Sequence, residues 1–76
     1  MNSLEEAQRI KERIEGEIMA KPGVTGIDAG YHPAGDPQEG TPAIRVYVED
    51  RQNAPELPAE VDGIPVVVIQ RRFKLH

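Results

Sequence analysis

Six consecutive residues near the C-terminal end, Ile64-Pro65-Val66-Val67-Val68-Ile69, are apolar at every position. A strand sends successive side chains to opposite faces, so this run is oily on both sides. The rest of the chain supplies one convincing helix, and one helix covers only one face of a sheet. Val66 and Val68 can therefore meet a core beneath that helix, while Val67 and Ile69 point away from it. Their side of the sheet should need cover from elsewhere.

A chain of 76 residues has room for one domain. Domains of this size bury a modest share of their surface and gain from staples or association. There is no cysteine, which excludes disulfides, thiolate metal sites and cysteine catalysis. The first residues are acidic and lack an apolar run, so no signal peptide is expected there. No stretch approaches the roughly 20 apolar residues that span a bilayer. The expectation is a cytoplasmic protein that does not enter membranes. Residues 22–63 carry eight acids against Arg45 and Arg51, and the bases Arg71, Arg72 and Lys74 gather at the end. An acidic body disfavours nucleic acid and anionic lipid. The basic tail, residues 72–76 with Arg71 ahead of it, is suited to an acidic neighbour such as a second copy of the chain.

Four segments carry regular patterns. Ser3 with Glu6 three residues later fits a capping box. Leu4, Ala7, Ile10, Ile14 and Ile18 then fall within about 120° of helical arc, one core-facing stripe. Glu5/Arg9 and Glu17/Lys21 are spaced to pair on the opposite face. Lys21-Pro22-Gly23 should end the helix. A strand from about Val24 to Tyr31 follows, with Ile27, Ala29 and Tyr31 on one face and Gly26, Asp28 and Gly30 on the other. Alternating glycines of this kind mark a bulge or a close approach. From Ala43 to Glu49, Ile44, Val46 and Val48 alternate with Arg45, Tyr47 and Glu49. The last strand runs from about Ile64 to Arg71. Residues 32–42 and 50–63 read as irregular connections, the second anchored by Leu57 and Val61 and closed by an Asp62-Gly63 turn. The expected fold is α+β: one N-terminal helix packed on a three-stranded, mainly antiparallel sheet in the order α-β-β-β.

Lys21-Pro22-Gly23-Val24, Gly26-Ile27, Gly30-Tyr31, Thr41-Pro42-Ala43-Ile44-Arg45-Val46-Tyr47-Val48, Leu57-Pro58 and Val61-Asp62-Gly63-Ile64-Pro65-Val66 form a set of pieces. Together they resemble a short module found N-terminal to some bacterial trypsin-like serine proteases and in uncharacterised stand-alone proteins. The resemblance implies a fold and an accessory, non-enzymatic role, with no catalytic residue to carry over. In such sequences the positions matching Val67 and Ile69 are commonly polar. Here they are apolar, which points again to a covered face.

Candidate chemistry is sparse. Ser3 is the only serine, and its spacing suits a helix cap better than a nucleophile. Thr25 and Thr41 have no nearby motif for an activating base. His32, Asp36 and Glu39 have suitable side chains for a metal or a small ligand, yet acids and prolines are equally ordinary in a solvated turn. Gly23-Val24-Thr25-Gly26 follows a helix and enters a strand, the reverse of a phosphate-binding turn. No catalytic residue, metal ligand or cofactor is assigned. The remaining candidate is an outward patch of Tyr47, Val67 and Ile69 edged by Arg45 and Arg71. Tyrosine and arginine beside apolar surface are typical of protein interfaces. The functional expectation is a small non-enzymatic interaction or regulatory module that self-associates through this face as a homodimer or binds a protein partner. The alternative is a ligand- or metal-binding domain using the 32–41 loop.

Overall fold

A computed structural model describes residues 3–71. The basic tail expected at 72–76, with Arg72, Lys74 and His76, lies outside the described residues. Helix α1 spans Leu4–Met19, and Ser3 caps it by accepting a 3.1 Å hydrogen bond from the Glu6 amide. Glu5 and Arg9 pair at 3.6 Å, and Lys11 reaches Glu15 at 2.6 Å. Lys21 falls beyond the last helical residue, so the spacing from Glu17 no longer places it on the helix face. Ala7, Ile10 and Ile18 are buried, and Ile14 packs beside them, as the stripe requires.

Strands β1 (Val24–Tyr31) and β2 (Pro42–Val48) form an antiparallel hairpin joined by the 32–41 loop. Ile44, Val46 and Val48 are fully buried under α1, while Arg45 and Tyr47 project to the opposite face. The register shifts between Val24 and Gly26, a bulge at one of the glycines that weaken this strand.

The expectation of three antiparallel strands is corrected here. The sheet has four strands in the order β1-β2-β4-β3 and is mixed. Strand β4 (Ile64–Gln70) runs parallel to β2, with Ile44 opposite Val66 and Tyr47 opposite Ile69. The connection, residues 49–63, is long enough to carry the chain back to the starting end of the sheet, as parallel pairing demands. It begins with a short 3-10 turn, η1 (Arg51–Asn53), capped by Asp50. Ala54, Leu57 and Val61 of this crossover pack against the core. It ends in a two-residue strand, β3 (Glu60–Val61), which pairs antiparallel with the start of β4. Asp62 (φ 50°) and Gly63 (φ 84°) are both left-handed, the backbone of a tight type I′ hairpin turn. Asp62 also accepts a 2.5 Å hydrogen bond from Arg13, tying this turn to the helix.

The cover on the two faces is unequal. Helix α1 lies over β1 and β2, and the crossover supplies Ala54 and Leu57 near β4. Val66 and Val68 belong to this packed side but remain half-buried, because the helix does not extend fully over β4. Among the described residues, no helix is long and apolar enough to cross a membrane.

The hairpin that the sequence pattern concealed can be tested at its turn. Gly63→Ala forces a side chain into the left-handed region and should lower stability by roughly 1–2 kcal/mol. Gly16→Ala, in open space on the helix, should instead raise it by about 0.5–1 kcal/mol. Urea unfolding of both variants checks the contrast in sign.

Candidate functional site

The outer face of the sheet is organised around Asp28. The β1–β2 register sets Asp28 directly opposite Arg45, a cross-strand pair of opposite charge. Arg45 donates two hydrogen bonds to the Asp28 carboxylate, from Nε at 2.7 Å and from Nη2 at 2.9 Å. Tyr47 donates a third from its hydroxyl at 2.9 Å. Arg71, just past β4, lays its guanidinium over the Tyr47 ring, 4.7 Å from the centroid. Such a stack contributes about 0.5–1 kcal/mol at an exposed site. Three residues expected in the patch, Arg45, Tyr47 and Arg71, are thus brought together and held in fixed poses.

Gly30 of β1 makes this geometry possible. The Arg45 guanidinium lies over Gly30 so closely that a Cβ there would sit 2.5 Å from Cζ and 2.7 Å from Nη2. The Tyr47 ring lies over Gly26 at ordinary contact distance, with Cδ2 3.5 Å from the corresponding point, so a side chain there would be tolerated. The Gly-Ile-Asp-Ala-Gly run is a trough with an acid at its centre, and β2 fills it with two long side chains. A shallow depression of about 230 Å³, lined by Thr25, Gly26, Ile27, Tyr47 and Arg71, opens beside it.

Val67 stands next to Arg45 and Ile69 next to Tyr47 across the parallel ladder. Neither is part of the core cluster, and both are half-buried. The large hydrophobic residues left exposed among the described residues are Met19 and Tyr31.

The charges of the clamp reinforce one another. Partial burial opposes ionisation of Asp28, but the hydrogen bonds from Arg45 and Tyr47 outweigh it and hold the carboxyl below its ordinary value. The same contact raises the Arg45 pKa. Burial, then the Asp28 carboxylate, pushes the Tyr47 hydroxyl up. Asp28 and Arg45 thus form an ion pair whose carboxylate also accepts the Tyr47 hydroxyl.

Asp28 is the member that sequence reasoning missed. Its signal was present: an acid between two glycines on the face that Arg45 must share in a hairpin. The loop residues fall differently. His32 is buried, and its Nδ1 lies 3.3 Å from Asp36 Oδ1, within ion-pair range but without a hydrogen bond. Asp36 Oδ1 accepts instead from the Gln38 amide, and Glu39 accepts from the Gly35 amide at 2.8 Å. Among the described residues, no three histidine, cysteine or acidic side chains are grouped to hold a metal ion.

Comparison with family models, with curated proteins and with solved structures finds no match to this chain.

The clamp predicts a defined pH response. Because the folded pKa of Asp28 is depressed, its contribution is complete above the unfolded value near 3.8 and fades as pH falls through the folded one. Asp28→Asn should cost about 1 kcal/mol near neutral pH, discounted for the exposure of the pair, with the gap to wild type closing below about pH 4. Gly30→Ala should cost a similar amount by displacing Arg45, and the two losses should be less than additive. Denaturant curves at two pH values, run as a double-mutant cycle, measure both effects.

Proposed function

We propose that this chain is a non-enzymatic interaction module that docks through the outer face of its sheet, with a second copy of itself as the first partner. The carrying observation is the juxtaposition of a rigid Asp28–Arg45–Tyr47–Arg71 clamp with half-covered Val67 and Ile69. A tyrosine and arginines already fixed by their neighbours lose little freedom on binding, which favours their use as anchors. The resemblance to a protease-associated module supports an accessory or regulatory role. The acidic body argues against nucleic acid and membrane surfaces as partners, and a cytoplasmic setting fits a chain without cysteine.

Magnitudes limit the strength of this contact. Full burial of a valine or isoleucine contributes about 1.5–3 kcal/mol, and these side chains are already partly covered. Two per copy then contribute on the order of 4 kcal/mol in a symmetric pair, before the cost of association. Set against an association cost of about 4–15 kcal/mol, that gain alone does not hold a dimer, and the Tyr47 and arginine anchors must supply the rest.

Sedimentation equilibrium up to about 1 mM protein tests the reading. Wild type should show reversible self-association, and Val67→Asp should lose the part of it that the outer face carries while leaving the circular dichroism spectrum unchanged. A strict monomer across the whole range, identical in Val67→Asp, would remove the homodimer.

A further inference from the structure

The two edges of the sheet are finished differently. The β3 edge is two residues long and is closed by the Asp62-Gly63 turn. The β1 edge is eight residues long and contains neither proline nor lysine. Long unblunted edges are templates for another strand, and proteins usually interrupt them.

The direction of its free backbone groups follows from the ladder. The His32 amide donates to the Thr41 carbonyl, which puts the amide of His32 on the β2 side of β1, while the Thr41 amide turns to Gln38. Alternation then makes Gly30/Ala43, Asp28/Arg45 and Gly26/Tyr47 the bonded pairs. The Tyr31/Pro42 pair between them agrees, since proline has no amide to give. The amides and carbonyls of Ile27, Ala29 and Tyr31 therefore point to the open edge. Among the described residues, none of the backbone bonds outside the ladders uses them. Helix α1 does not close this edge either: a groove of about 250 Å³ runs beside it, lined by Gln8, Lys11, Glu12, Asp28 and Ala29.

We propose that the free edge of β1 pairs antiparallel with the β1 edge of a second copy, in a register centred on Ala29. This surface is distinct from the outer face and joins the four strands of each copy into one continuous sheet. Charge and backbone geometry select the register. Centring on Asp28 would set that carboxylate against itself, and centring on Gly30 would bring together the two Arg45 guanidiniums that cover those glycines. Centring on Ile27 would run the pairing into the bulge between Val24 and Gly26. Centring on Ala29 avoids all three. It places Asp28 opposite Gly30 of the second copy, beneath that copy's Arg45, so that each carboxylate lies between two guanidiniums. On the helix side it lays Tyr31, 47% exposed in the single chain, against Ile27 of the second copy. The rim above the joint carries Lys11 and Glu12, so the second copy does not meet a wall of one charge. Such a contact is isologous and closes on itself, as a two-fold dimer requires.

Amide hydrogen exchange of the wild-type chain, followed by NMR from dilute to concentrated samples, tests this directly. The amides of Ile27, Ala29 and Tyr31 should gain at least tenfold protection as concentration rises, while those of Gly26, Asp28 and Gly30 stay protected throughout. Ala29→Pro, which removes an edge-facing donor and no β1–β2 bond, should abolish the gain. Tyr31→Glu, at an exposed position, should weaken it at least tenfold and covers the case in which the proline variant fails to fold. Val67→Asp, on the outer face, should leave the gain intact, which separates failure of this joint from failure of the outer-face contact. Fast exchange at those three amides at every concentration, or a gain that survives in folded Ala29→Pro or in Tyr31→Glu, would overturn the proposal.

Discussion

Cover is the scarce resource in this fold. A single amphipathic helix and one crossover segment must shield a four-stranded sheet, and both contribute to the same side. That side gains Ile44, Val46, Val48 and Ile64 at zero exposure. Among the described residues, the opposite side is left to its own side chains. It meets the need by polar means over β1 and β2, where Asp28, Arg45 and Tyr47 satisfy one another, and incompletely over β4, where Val67 and Ile69 have no such partner.

The glycines of β1 show how the same stretch serves two demands. Glycine in a strand usually weakens it, and here the cost is offset by what the missing side chains permit. Arg45 and Tyr47 lie flat across the backbone, and the carboxylate between the glycines is reached by both. An alanine in place of Gly30 would lift the guanidinium off its partner. The clamp is therefore a property of the β1–β2 register as a whole.

Much of this was legible in the residues. The helix cap at Ser3, the apolar stripe from Ala7 to Ile18, the bounds of β1 and the inward side of β2 follow from local rules of spacing, and the structure has them within a residue or two. The parallel pairing of β4 was not legible, because it depends on where a 49–63 connection of low periodicity carries the chain. Strand β3 was hidden for a related reason: two residues cannot display an alternation, and only the Asp62-Gly63 turn hinted at a hairpin. Arg45, Tyr47, Val67 and Ile69 share one side because period two fixes the face irrespective of strand order, and Arg71 stacks on Tyr47 there. The partner that two of them share, Asp28, required the register as well. Nothing in a sequence pattern could say that Val67 and Ile69 would be half-covered by neighbours within the same chain.

Whether the outer face seeks company is best measured at its methyl groups. With a soluble paramagnetic agent and selectively labelled valine and isoleucine, dilute protein should show strong broadening at Val67 and Ile69 and none at buried Val46. Raising the protein concentration should relieve the broadening at Val67 and Ile69 and leave Val46 unchanged. Broadening that stays the same at every concentration, or methyls as shielded in dilute solution as Val46, would contradict the account.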